Sequence, residues 1–138
     1  MSQENKDLVV KWFEEVWNKR NLSAIPTMYY HAGKSHGFPD PDSVTNSPEE
    51  FAKHTKAFLD AFSDLRVDID DLVAEGDRVA VRWTAKMTHT GDGLGLPATS
   101  KRVQVAGSSF VICRNNQIAE GWNYADFTRM RLQLEGKL

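Results

Sequence analysis

Apolar residues recur every three to four positions in the first half of the chain and every second position afterwards. From Gln3 to Lys19, the residues Leu8, Val9, Trp12, Phe13, Val16 and Trp17 form one stripe at helical spacing. Weaker helical turns follow over Ser23 to Tyr30. The stretch from Ala32 to Asn46, with Gly33, Gly37, Pro39 and Pro41, reads as a loop. Ser47-Pro48-Glu49-Glu50 then marks a helix start, with serine as cap, proline in the first turn and glutamate three residues after the cap. Phe51, Thr55, Phe58, Leu59 and Phe62 lie along one side of that helix, which ends near Ser63-Asp64.

Beyond it the period changes to two. Leu65, Val67 and Ile69 alternate with charged residues, and the phase slips at Asp71-Leu72, as a bulge would cause. After a turn at Glu75-Gly76-Asp77-Arg78, the residues Val79, Val81, Trp83, Ala85 and Met87 alternate with Ala80, Arg82, Thr84, Lys86 and Thr88. A glycine-rich loop, Gly91 to Pro97, precedes a third strand from Lys101 to Cys113. Arg114-Asn115-Asn116-Gln117 forms a hairpin, because asparagine tolerates positive φ. A last strand runs to Asp126, and Phe127 to Leu134 reads as helix. Helices followed by a meander of strands predict an α+β fold. Two or three helices laid on a strongly curved sheet would enclose a conical cavity with aromatic walls.

Composition narrows the picture only slightly. A chain of 138 residues fits one domain spanning 1–138. Its formal charge of -2 offers no field for nucleic acid or anionic lipid, and no apolar run approaches a membrane span. The polar amino terminus and the single cysteine, Cys113, lead to the expectation of a reducing, cytoplasmic setting, where the sequon Asn21-Leu22-Ser23 carries no meaning.

The candidate chemistry sits at the end of the last strand. In a regular strand Trp122, Tyr124 and Asp126 share a face, and a carboxylate on an aromatic face is desolvated and suited to proton transfer near neutral pH. The alternative is that Asp126 caps the helix beginning at Phe127. Glu120 has the same parity and does not belong on an apolar wall. Either it lies at an open rim or Gly121 marks a bulge.

Three stretches carry a family resemblance. They are Glu75 to Trp83 running on to Thr88-His89-Thr90-Gly91, then Gly95-Leu96-Pro97-Ala98-Thr99-Ser100-Lys101-Arg102-Val103, then Ile118-Ala119-Glu120 with Trp122 to Asp126 and Leu132-Gln133-Leu134. In their order and spacing the chain resembles the SnoaL-like polyketide cyclases of the nuclear transport factor 2-like superfamily, although serine stands at 100 where glycine is expected. The resemblance implies a cone-shaped cavity under amino-terminal helices, no cofactor, and a homodimer formed through the outer sheet face. It also implies ring closure by aldol chemistry on an apolar, carbonyl-bearing molecule. The family's acid/base aspartate matches Asp126. Its loop histidine matches His36, with His31 close by. Members of this fold also include isomerases, dehydratases, epoxide hydrolases and binding proteins, so a non-catalytic binding or partner-binding module of the same fold is the alternative.

Trp12, Trp83, Phe58, Trp122 and Tyr124 are the expected lining, and Phe62 is core or lining. Tyr30 is counted with them, although only one of Tyr29 and Tyr30 can point inward. His89 follows the parity of Trp83 and Met87 and is either a ligand contact or a core histidine. His31, His36, Asp40 and Asp42 match no metal-ligand spacing, so no metal is expected. The glycines at 91, 93 and 95 open no helix and do not form a phosphate loop. Cys113 reads as an inert core residue. Arg82 opposes Trp83 in parity, which places it outside and disfavours the arginine-bridged aspartates of epoxide hydrolysis.

Overall fold

The amino-terminal stripe folds as α1 (Ser2–Trp12) and runs directly into a π-helical segment, Phe13–Asn18, in a computed structural model that describes residues 2–138. The wider turns aim Phe13 and Trp17 at the sheet and set Asn18 against the edge of β3 (Arg66–Glu75). There the Asn18 amide accepts from the Val67 N–H at 2.7 Å and donates to the Val67 carbonyl at 2.9 Å, so a side chain closes an otherwise open strand edge. A 3-10 turn (Leu22–Ala24) and the short α2 (Ile25–Met28) lead into β1 (Tyr29–His36) and β2 (Val44–Thr45). The helix α3 (Pro48–Ala61) starts as its sequence dictates, with the Ser47 hydroxyl accepting from the Glu50 N–H. Then come β4 (Arg78–Thr88), β5 (Arg102–Arg114), β6 (Gln117–Ala125) and α4 (Phe127–Leu134).

The six strands form one open, curved sheet in the order β2-β1-β6-β5-β4-β3. The helices pack on it, making the α+β architecture expected from the sequence. The slip expected near Asp71 is a bulge between Ile69 and Asp71. The β5–β6 turn uses Asn115 and Asn116, both at positive φ.

One expectation fails. The helical turns expected over Ser23 to Tyr30 are found at Leu22–Ala24 and Ile25–Met28. The stretch from Ala32 reads as loop, yet Tyr29 to His36 form a strand parallel to β6, which makes the sheet mixed rather than purely antiparallel. Its glycines gave the appearance of a loop and have a packing reason. A Cβ on Gly33 would strike the Tyr29 ring, and Gly37, at φ +81°, passes so close to the Asn123 carbonyl that no side chain fits. The pairing partner lies more than eighty residues away, where no local periodicity reveals it.

Candidate functional site

The inner face of the sheet is set by register. Trp83 lies opposite Gly107, Ser109 opposite Asn123, and Ser35 opposite Gly121. Of these, Trp83, Ser109 and Asn123 line an open cleft with Trp12, Phe13, Trp17, Phe51 and Phe58 from the helical side and Phe38 from the loop after β1; its enclosed space is about 80 Å³, within about 670 Å³ when the open mouth is counted. The walls are apolar almost throughout, and no lining residue carries a carboxylate, an ammonium or an imidazole. An inner recess shares Trp12, Phe51, Ser109 and Asn123 with the cleft and adds Tyr29 and Ser35.

Across this floor runs one line of hydrogen bonds. The Trp83 indole N–H donates to Ser109 Oγ at 3.1 Å, and the Ser109 hydroxyl donates to Asn123 Oδ1 at 2.8 Å. Asn123 Nδ2 donates to Ser35 Oγ at 3.0 Å and to the His36 carbonyl at 3.1 Å. The His36 carbonyl can only accept, so it fixes which end of the amide is nitrogen and hence the direction of the whole line. Gly107 makes room for it, since the Trp83 ring lies over the position a Cβ would fill.

Beside Ser35 stands the Tyr29 phenol, 2% exposed and with no hydrogen-bond partner among the described residues. Burial pushes this phenol well above its usual value, against a smaller opposing influence from the Ser35 hydroxyl. Ser35 is therefore close by, but the pair does not meet hydrogen-bond geometry. Tyr29 stays a neutral donor throughout the physiological range.

The residues singled out in the sequence separate into three groups. Trp12, Trp83 and Phe58 line the cleft as expected. Trp122, Tyr124 and Asp126 do not. The odd positions Gly121, Asn123 and Ala125 face inward, so Trp122 and Tyr124 lie on the outer face and Tyr124 is 66% exposed. The register break falls at Ala119, where Ile112 pairs with Glu120 and Cys113 with Ile118, rather than at Gly121. Glu120 therefore shares the outer face with Trp122, as its charge suggested. Asp126 is exposed and caps α4, its Oδ1 accepting from the Arg129 N–H at 2.9 Å.

His36 also lies outside, its Nε2 2.7 Å from Glu120 Oε2 and its ring stacked on Trp122 at 5.2 Å. Tyr30 is exposed and packs on His31, so Tyr29 is the inward member of that pair. His89 is fully buried as a core residue: its Nδ1 accepts from the Thr99 N–H at 3.2 Å and its ring packs on Phe62. Cys113 is buried, and burial raises its thiol to about 11. Among the described residues no cluster of His, Cys, Asp or Glu could hold a metal. No helix among them is long and apolar enough to cross a membrane.

Sequence reasoning missed Asn123, Ser109 and Ser35, and left open which of Tyr29 and Tyr30 points inward. The signal was present for Asn123 and Ser109, because Glu120 marks the outer parity of β6 and leaves Asn123 inside, while Ser109 shares the parity of the apolar Val103, Val105 and Val111 in β5.

The cap makes a clean prediction. Asparagine caps as well as aspartate does, so Asp126→Asn should leave urea-unfolding stability within a few tenths of a kcal/mol, while Asp126→Ala costs about 1 kcal/mol. Neither should change the affinity of a ligand held in the cleft.

Helices over a curved sheet, closing an apolar cleft with a polar line on its floor, define a small cavity protein of the cone-shaped α+β class. Residues 7–134 match the family model of the SnoaL-like polyketide cyclases, and the chain belongs to that family. Among solved structures it is similar to a SnoaL-like polyketide cyclase candidate from Jannaschia sp., with TM-score 0.87 at 18% identity over 96% of this chain and 92% of that one. It is also similar to AclR, a candidate hydroxylase from Streptomyces galilaeus, with TM-score 0.86 at 27% identity over 100% of this chain and 84% of that one. A third is IdmH, a candidate polyketide cyclase from Streptomyces antibioticus, with TM-score 0.82 at 22% identity over 95% and 98% of the two chains. No curated protein matches this chain.

Proposed function

We propose that the protein takes an uncharged, apolar, ring-forming or ring-bearing molecule with carbonyl oxygen into the cleft and promotes its cyclisation or a related proton transfer without a cofactor. The observation that carries this reading is the lining. Aromatic walls without a charged side chain favour an apolar guest, and the line from Trp83 to Ser35 meets it with a few placed polar groups. Membership of the cyclase family supports the reaction class. A cleft of this shape would speed ring closure chiefly by holding a flexible chain folded, with its reacting carbons near one another. A neutral phenol beside the guest would favour negative charge developing on its oxygen.

The specific assignment of Asp126 as acid/base finds no support in its position. A positioned acid/base contributes typically 10²–10⁴-fold, so Asp126→Asn would lose that much turnover if the carboxylate left its cap to serve the reaction. On the present reading the variant keeps its rate. Tryptophan fluorescence gives the first test, because Trp12, Trp17 and Trp83 all line the cleft. Titration with 9-fluorenone should quench it saturably, and an unchanged spectrum would contradict the reading. A second reading, binding without turnover, is favoured by the lack of any ionisable side chain in the lining. It predicts saturable quenching but no cyclised product from a linear polycarbonyl substrate.

The outer face supports a homodimer. Val73, Ala80, Phe110, Trp122 and His36 line up across five strands through successive pairings. Val73 and Phe110 in this row, and Tyr124 beside it, are exposed large apolar side chains. Phe110→Asp should convert a dimer to a monomer in sedimentation experiments, and a wild-type monomer would overturn the proposal.

A further inference from the structure

The geometry points to Tyr29 and Ser35 as a two-donor seat for one uncharged oxygen of the ligand, such as that of a ring ketone or quinone, rather than for a carboxylate. This rests on the cleft being a ligand site and goes further, by naming the group the floor selects. The argument is an accounting of donors. The Trp83 N–H and the Ser109 O–H each have one acceptor, and both hydrogens of the Asn123 amide are engaged, on Ser35 Oγ and the His36 carbonyl. Each lone donor along the line is therefore spent before the recess is reached.

At its end the supply is reversed. Ser35 Oγ receives the Asn123 hydrogen bond and keeps its own hydrogen uncommitted, and the buried Tyr29 hydroxyl has no partner among the described residues. Two O–H groups thus line the same recess with hydrogens to give. A buried hydroxyl without a partner is costly, and a ligand oxygen accepting from it removes that cost. Charge sets the second half of the selection. No cation lines the cleft or the recess, so a carboxylate would be buried unpaired against Trp12 and Phe51.

The test compares 9-fluorenone with fluorene, which has the same ring system without the oxygen, and with fluorenone-4-carboxylate, using the full chain. Wild type should bind fluorenone roughly 10- to 100-fold more tightly than fluorene, and the carboxylate no better than fluorene. Tyr29→Phe keeps the ring against Trp12 and Phe51 and should lower the fluorenone preference roughly 3- to 10-fold, with fluorene affinity unchanged. Ser35→Ala should do the same to a smaller extent. In the infrared, the carbonyl stretch of bound fluorenone should lie below its value in hydrocarbon solvent and move back toward it in Tyr29→Phe. If fluorenone and fluorene bind wild type equally, or if both variants keep the preference and the shifted band, the two-donor seat is wrong while the apolar cleft stands. If neither compound binds wild type, the cleft reading fails and this inference fails with it.

Discussion

Replacing Asn123 by leucine is expected to destabilise the protein by about 2–4 kcal/mol, or roughly 10 °C in Tm. Leucine has a similar shape, so the effect comes from the amide alone. The Ser109 hydroxyl loses its acceptor, and Ser35 and the His36 carbonyl lose their donors. Three hydrogen bonds at about 0.5–1.5 kcal/mol each give the estimate, and any partner left buried without a bond adds to it. Asn123→Asp should be at least as damaging. A carboxylate has no hydrogen to offer the His36 carbonyl, and the cleft holds no cation to balance its charge. Urea unfolding of the two variants checks both statements, and a loss below 1 kcal/mol in each would show that the line is not a structural unit.

Gly107→Val is expected to cost about 3 kcal/mol and to abolish ligand binding in the cleft. A Cβ at 107 would stand 2.5 Å from two carbons of the Trp83 indole and 2.9 Å from the Tyr124 carbonyl. The strand backbone cannot yield, because Gly107 pairs with Trp83 on one side and Ala125 on the other. The indole must therefore swing into the cleft, filling it and breaking its bond to Ser109. Tryptophan emission of the variant should differ from wild type before any ligand is added, and fluorenone should then produce no further quenching.

Much of the fold could be read from the sequence because its signals are local. The Ser47 cap, the paired asparagines at 115 and 116, and the alternation from Val79 to Met87 each depend on neighbouring residues, and each is found in the structure. The parallel strand β1 depends instead on β6, and its glycines hid it. The site was less legible for a related reason. Trp122 and Tyr124 suggest an inner wall because they are aromatic, but the outer face of this sheet is also apolar, so hydrophobicity did not distinguish the two sides. Charge did. Glu120 sits two residues before Trp122 on the same face, and following it would have turned the strand over and brought Asn123 inside. Tyr29 could not be found this way, since its importance comes from a missing partner, which only three-dimensional packing reveals.

The family resemblance located the fold correctly and gave Asp126 a role its geometry does not support. In this chain the carboxylate holds the first turn of α4, and the inward position next to it is Ala125. The hydrogen-bonded line from Trp83 to Ser35 crosses the inner face of the sheet instead.

A crystal structure of the protein with 9-fluorenone tests the central claim most directly. The account predicts the rings between Trp12, Trp17 and Phe58, with the ketone oxygen within hydrogen-bond distance of Tyr29 and Ser35. Fluorenone seated on the outer face beside His36 and Trp122, or in the cleft with its oxygen turned toward Asp126, would contradict it.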